Sequence, residues 1–257
     1  MKYMRYVTTL LVCTSLLLSC QSAGTRMDTD KQNKRAKIHY QIGLDALNRG
    51  QLAKAFDELM KSNSILPKQP EVLDALAYAW RLRGDLKQSE AFYKQAIAAG
   101  AGSSTYTNYG GLLVALKRYQ DAKKMLNKAL EDPRYRNQYI AQIHLGDALL
   151  GLGQFDDAIK SYRLAGLLNP QQGISQLREA KAYVQTQRFN YAFALYETIL
   201  RKTPNNRPAL EGLIDLLHQQ PNIEIARKYI SAYIEHEKEP LNRAWAEDEL
   251  THLGQQH

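Results

Sequence analysis

Residues 139–170 read YIAQIHLGDALLGLGQFDDAIKSYRLAGLLNP, and the placing of their small residues decides the fold. Gly146, Ala158 and Ala165 take places 8, 20 and 27 of a frame opened at Tyr139, with Tyr162 at place 24 and Pro170 at place 32. Opening the same frame at 36, 70, 103, 173 and 207 as well gives spacings of 34, 33, 36, 34 and 34 residues. Place 20 then reads Ala55, Ser89, Ala122, Ala158, Ala192 and Ala226, small every time. Place 24 reads Leu59, Tyr93, Leu126, Tyr162, Tyr196 and Ile230, bulky every time. Place 8 holds Gly43, Ala77, Gly110, Gly146 and Ala180 before Ile214 breaks it. Such a period describes two antiparallel helices that approach closely at places 8 and 20, with the bulky residue filling the space beside them. One hairpin alone cannot bury its apolar faces, so neighbours stack.

This frame resembles the tetratricopeptide repeat. It implies an all-α chain, a right-handed superhelix of six helix-turn-helix repeats over residues 36–239. Pro67, Pro170 and Pro204 close repeats one, four and five, while Pro133 comes one residue early and Pro240 two late. Gly50, Gly84 and Gly153 suit the left-handed end of a first helix. Repeats five and six carry Gln187 and Pro221 there, where the glycine rule gives no expectation. Residues 240–257, with Trp245, Leu250 and Leu253 among charged neighbours, read as a capping helix and tail.

The N-terminus reads as an address. Lys2 and Arg5 precede an apolar run from Val7 to Leu18 that is too short to cross a bilayer. It fits a secretory signal over residues 1–19. The run ends in Leu17-Leu18-Ser19-Cys20, which resembles the bacterial lipobox. That resemblance implies cleavage before Cys20 and acylation of its sulfur and new amine, a palmitate-type anchor. Gln21 rather than Asp after the cysteine implies the outer membrane, on its periplasmic face. Residues 20–35 then form a lipidated flexible tether. Cys13 and Cys20 are the two cysteines of the chain, so a mature fold has no disulfide to lean on.

Removing Lys2 and Arg5 from the formal charge of +8 leaves +6. Basic and acidic residues alternate along helices, as in Glu58/Lys61 and Asp157/Lys160, the pattern of a solvated face rather than a phosphate track. Nucleic acid is therefore not an expected partner. His236-Glu237 opens like a zinc-protease helix, but Pro240 stands where the second histidine belongs. The remaining histidines have no metal-ligand spacing, and phosphate-binding, dinucleotide and nucleophile-elbow motifs are missing. The expectation is a binding scaffold with no catalytic residue, metal, cofactor or small-molecule substrate.

First-helix places 2, 5, 9, 12 and 13 face the concave side of such a solenoid. Here they supply Tyr40, Leu44 and Leu47 with Lys37 and Asn48 from repeat one, and Tyr78 and Leu82 with Glu71, Asp74 and Arg81 from repeat two. Repeats three and four add Gly111, Val114, Ile140 and Ile143. So apolar a stripe suits a peptide or strand with apolar anchors, unless curvature buries part of it. Gly110 has a reason to be glycine at place 8. Gly111 does not, and the expectation is that it makes room for a partner's backbone.

The run Thr107-Asn108-Tyr109-Gly110-Gly111-Leu112-Leu113, followed by Lys117-Arg118-Tyr119 and Ala122, resembles the type IV pilus biogenesis lipoproteins, the pilotins of the PilF/PilW family. The resemblance implies a protein that binds the pilus secretin subunit, escorts it to the outer membrane and promotes its multimerisation. It also implies contact through the N-terminal repeats, hence Tyr40, Leu44, Leu47, Tyr78 and Leu82. A general envelope adaptor on the same repeats, recruiting peptidoglycan enzymes or outer-membrane assembly factors, is the alternative.

Overall fold

The computed structural model describes residues 29–171, 173–219 and 222–255. Cys20 and the lipobox lie outside them, as does Pro221. Among the described residues all regular structure is helical, and no helix is long and apolar enough to cross a membrane. The chain divides into two compact units, one ending at Thr105 and the other starting at Tyr106.

The first unit holds two hairpins. Helix α1 spans residues 29–48 and pairs with α2 (Leu52–Ile65), and α3 (Pro70–Arg83) pairs with α4 (Leu86–Ala98). Helix α1 starts earlier than expected, because residues 29–35 of the predicted tether are helical. The physical reason lies at Ala36, which is buried and whose carbonyl accepts a 2.8 Å hydrogen bond from Ser62 Oγ on α2. With that turn fixed by packing, each residue added outward gains a hydrogen bond without a new nucleation cost. No glycine or proline interrupts the run between residue 29 and Gly43.

Helix α5 (Ser103–Ala115) begins at the division, and in the second unit it pairs with α6 (Tyr119–Leu130). Three further hairpins follow: α7 (Gln138–Gly151) with α8 (Phe155–Leu168), α9 (Ile174–Gln185) with α10 (Phe189–Lys202), and α11 (Arg207–Gln219) with α12 (Ile223–His236). Helix α13 (Pro240–Gln255) closes the unit. Its Ala246 is buried, and Trp245 meets Tyr233 of α12 edge-on at 5.9 Å. The Arg207 guanidinium lies 4.6 Å above the Trp245 ring and donates to Asn242 Oδ1 at 2.7 Å. The expected cap is thus docked through one indole and one arginine.

All six place-20 residues are buried, and so are all six at place 24. The place-8 glycines show why. A Cβ on Gly43 would stand 2.7 Å from Leu59 Cγ, and one on Gly110 would stand 2.5 Å from Leu126 Cγ. A Cβ on Gly146 would enter the edge of the Tyr162 ring. In each case the intruded side chain is the place-24 residue of the same hairpin. Where Ile214 breaks place 8 in the last repeat, Gly212 two residues earlier gives way instead to Tyr196 of α10.

Five hairpin turns share one geometry. Gly50, Gly84, Lys117, Gly153 and Gln187 adopt φ of 69°, 88°, 58°, 72° and 57°. Each donates its N–H to the carbonyl three residues back, and the next residue reaches five back, as in Asp85 N–H to Trp80 O at 3.0 Å and Arg188 N–H to Tyr183 O at 2.9 Å. That pair of bonds closes a helix end through a left-handed residue. A side chain in this conformation costs roughly 1–2 kcal/mol, less the entropy a glycine loses on folding. Gln187→Gly is therefore expected to stabilise the second unit by about 1 kcal/mol, read as a higher urea midpoint at unchanged slope. A lower midpoint would show that the Gln187 side chain contributes more than its backbone strain costs.

Candidate functional site

In the first unit, the predicted contact residues divide by burial. Tyr40, Leu44 and Leu47 of α1 are half-buried and pack on Leu59, Val72, Ala75, Leu76 and Ala79. They join the first hairpin to the second as much as they face solvent. Tyr78 and Leu82, one turn apart on α3, remain 37% and 49% exposed. The Arg81 guanidinium lies 5.6 Å from the Tyr78 ring centre, a cation–π distance that favours a fixed ring. A cleft of about 520 Å³ opens beside this face, with Lys37, Tyr40, Leu66 and Glu71 among its walls. Burial, and then the nearby Glu71 and Asp74 carboxylates, push the Tyr40 hydroxyl above its ordinary range, so it stays a neutral donor.

Behind the cleft, His39 Nδ1 and Glu58 Oε2 are 2.6 Å apart, and Lys61 Nζ donates to Glu58 Oε1 at 2.7 Å. The hydrogen bond from His39, then that from Lys61, hold the Glu58 carboxyl below its usual range. Phe56 and Trp80 meet edge-on at 4.8 Å, and Arg83 covers both rings at 5.7 and 5.2 Å. That cluster lies on the other side of α3 from Tyr78 and Leu82, whose own face is apolar and aromatic beside the Arg81 guanidinium.

The second unit places its predicted residues differently. Val114 and Ile140 are half-buried, whereas Ile143 and Gly111 are buried. Gly111 does not open toward a partner. A Cβ there would stand 3.0 Å from His144 Nε2 and 3.2 Å from His144 Cδ2, so the vacant volume is already filled by an imidazole from α7. His144 Nδ1 is in turn 3.8 Å from Asp147 Oδ2. Asp147 Oδ1 accepts from Tyr162 Oη at 2.8 Å and lies 3.6 Å from Arg178 Nη1 of α9. Burial, followed by the Asp147 charge, raises the Tyr162 hydroxyl far above its ordinary range, keeping it a donor. The glycine thus seats a histidine, and the carboxylate collects a histidine, a tyrosine and an arginine.

His144 and Arg178 occupy place 6 of their repeats, which the set of groove places omitted, so the sequence reading missed this cluster. The signal present was the run Asn108, His144 and Arg178 at that one place, polar in three successive first helices. Gly111→Leu is expected to destabilise by about 1–3 kcal/mol through overpacking. If the imidazole is what it meets, adding His144→Ala should return at least 1 kcal/mol in a double-mutant cycle. Strict additivity of the two changes would mean that the leucine clashes elsewhere.

Comparison with known proteins fits this architecture. A family profile described as Tetratricopeptide repeat matches residues 110–168 and 177–242. The type IV pilus assembly protein PilF of Pseudomonas aeruginosa is 32% identical over 123 residues, which cover 46% of this chain and 49% of that protein. The solved structure of that PilF superposes with a TM-score of 0.70 at 23% identity, covering 85% of this chain and 99% of that one. PilW, titled a widely conserved type IV pilus biogenesis factor, gives 0.72 at 18% identity, covering 76% and 90%. Human protein O-mannosyl-transferase TMTC1 is 22% identical over 197 residues, 76% of this chain but 22% of that enzyme. The chain therefore spans about half the length of PilF in sequence and about a fifth of TMTC1.

Proposed function

Because this chain carries tetratricopeptide repeats and is similar in sequence to the type IV pilus assembly protein PilF, we propose that it is a lipid-anchored pilotin. In this reading Cys20 carries the acyl chains that hold the protein on the periplasmic face of the outer membrane. Several acyl chains, at about 0.8 kcal/mol per buried methylene, make such an anchor stable. The repeats bind the secretin subunit of the pilus, bring it to that membrane and promote its multimerisation. The protein acts as a scaffold and performs no bond chemistry.

The observation that carries the proposal is the likeness to PilF in sequence, on a chain whose hairpins also follow the PilF fold. The apolar face of α1 and α3 supports it, since Tyr78 and Leu82 offer anchors that the fold leaves partly exposed. Purification of the chain from detergent-solubilised envelope tests it. Recovery of the secretin, together with loss of secretin multimers and of twitching motility on gene deletion, is the expected result. Normal multimers in the deletion strain, with no co-purifying secretin, would remove the pilotin assignment.

The likeness to TMTC1 over 76% of this chain, outside any pilus protein, leaves a second reading, a general envelope adaptor. Repeats of this kind serve many proteins, and the fold alone does not choose among partners. Co-purification of peptidoglycan enzymes or outer-membrane assembly factors in place of the secretin would select it.

A further inference from the structure

Helix α1 has a face that nothing in the first unit covers. Its first seven residues, 29–35, are exposed on every side, and Ala36 is the first to be buried. At 100° per residue, Lys31, Arg35, Ile38 and Ile42 fall within about 60° of one another, on the side opposite the half-buried Tyr40, Leu44 and Leu47, with Lys34 beside them. Ile38 is 53% and Ile42 36% exposed, although a solenoid stripe of this kind normally meets a neighbouring hairpin. Lys31, Lys34 and Arg35 meet no carboxylate among the described residues. Further along the same face, Asp45 and Arg49 neutralise each other at 3.1 Å. The stripe is therefore cationic at its N-terminal end and apolar in its middle.

We propose that this outward face of α1 lies on the bilayer and takes the anionic phosphate headgroups of its phospholipids. The proposal rests on the lipid anchor at Cys20 put forward above. Residues 21–28 separate that cysteine from α1 and reach at most about 30 Å when fully extended. The three cations stand at the end of α1 nearest the anchor, where a negative surface potential acts on them within a Debye length. The two isoleucines follow one to two turns on, placed to touch the headgroup–acyl boundary. Held this way, the protein turns α1 to the membrane and leaves Tyr78 and Leu82 of α3 free for a protein partner.

Vesicle co-sedimentation tests this without the anchor, using residues 20–257 with Cys20→Ser, which keeps every described residue. The chain is expected to bind vesicles of phosphatidylcholine containing phosphatidylglycerol, to ignore pure phosphatidylcholine, and to dissociate as salt rises. The triple change Lys31→Glu, Lys34→Glu, Arg35→Glu should lower the partition coefficient by at least about 100-fold, at roughly fivefold for each cation lost. Ile38→Asp should lower it further, and circular dichroism should match the parent. Equal binding of the triple variant, or equal binding to neutral vesicles, would overturn the proposal. So would a dimer in sedimentation that Ile38→Asp dissolves while vesicle binding is unchanged, which assigns the face to a second copy. Mass spectrometry of the native Cys20 peptide reports the anchor separately. An unacylated cysteine with intact vesicle binding sinks the anchor alone, and an acylated one without charge-dependent binding sinks this inference alone.

Discussion

Gly146→Ala should destabilise the second unit by about 2–3 kcal/mol, even though alanine is the better helix former by about 1 kcal/mol. The new methyl would enter the edge of the Tyr162 ring, at Cε1, Cδ1 and Cζ together. That ring has nowhere to retreat. It is completely buried, and its hydroxyl is held by Asp147 Oδ1 at 2.8 Å. Moving it breaks a desolvated hydrogen bond to a charge as well as the packing. The comparison that isolates this cause is Gly111→Ala, one repeat earlier, where the methyl meets only the edge of a part-exposed imidazole at 3.0–3.3 Å. There a shift of a few tenths of an ångström suffices, and the helix gain should leave stability within about 0.5 kcal/mol of the parent. Urea unfolding gives the totals, and hydrogen exchange at α7 and α8 localises the loss, since a repeat array need not unfold as one unit. A Gly146→Ala protein as stable as its parent would show that the hairpins are not held at contact distance by their place-8 glycines.

The hairpins were legible because their spacing is imposed by contact within one repeat. Gly146 against Tyr162 and Gly110 against Leu126 are separated by a fixed sequence interval, so periodicity exposes them. Gly111 was opaque for the opposite reason. Its reason for being glycine is His144, a residue of the next repeat at a place that the period leaves free to vary. The Asp147 cluster was hidden likewise, because Tyr162 and Arg178 reach it from different helices. Gln187 shows another limit, since a backbone bonded as firmly as at Gly84 holds a left-handed residue without glycine. At the N-terminal end, composition suggested a flexible tether through Arg35, but polarity reports solvent exposure and not backbone state. A helix anchored at Ala36 carries polar turns outward as readily as apolar ones.

Tyr78→Ala with Leu82→Ala is expected to weaken binding to the detergent-solubilised secretin subunit by 10- to 100-fold while lowering the unfolding midpoint less than Leu44→Ala with Leu47→Ala does. Burial separates the two effects. Tyr78 and Leu82 are more exposed than Leu44 and Leu47, so truncating them should cost less stability, and each is large enough to anchor a partner at about 1 kcal/mol or more. Leu44→Ala and Leu47→Ala behave differently, because those side chains pack on Leu76 and its neighbours. They should lower stability first, and any loss of binding should follow the loss of fold. Tyr78→Phe keeps the ring beneath Arg81 and should bind like the parent, which assigns the effect to apolar area and not to the hydroxyl. Undiminished binding by the double variant would take the contact away from α3. The Val114 and Ile140 face of the second unit would then be the next surface to truncate, with Ile143 excluded from that set because it is already buried within its own unit.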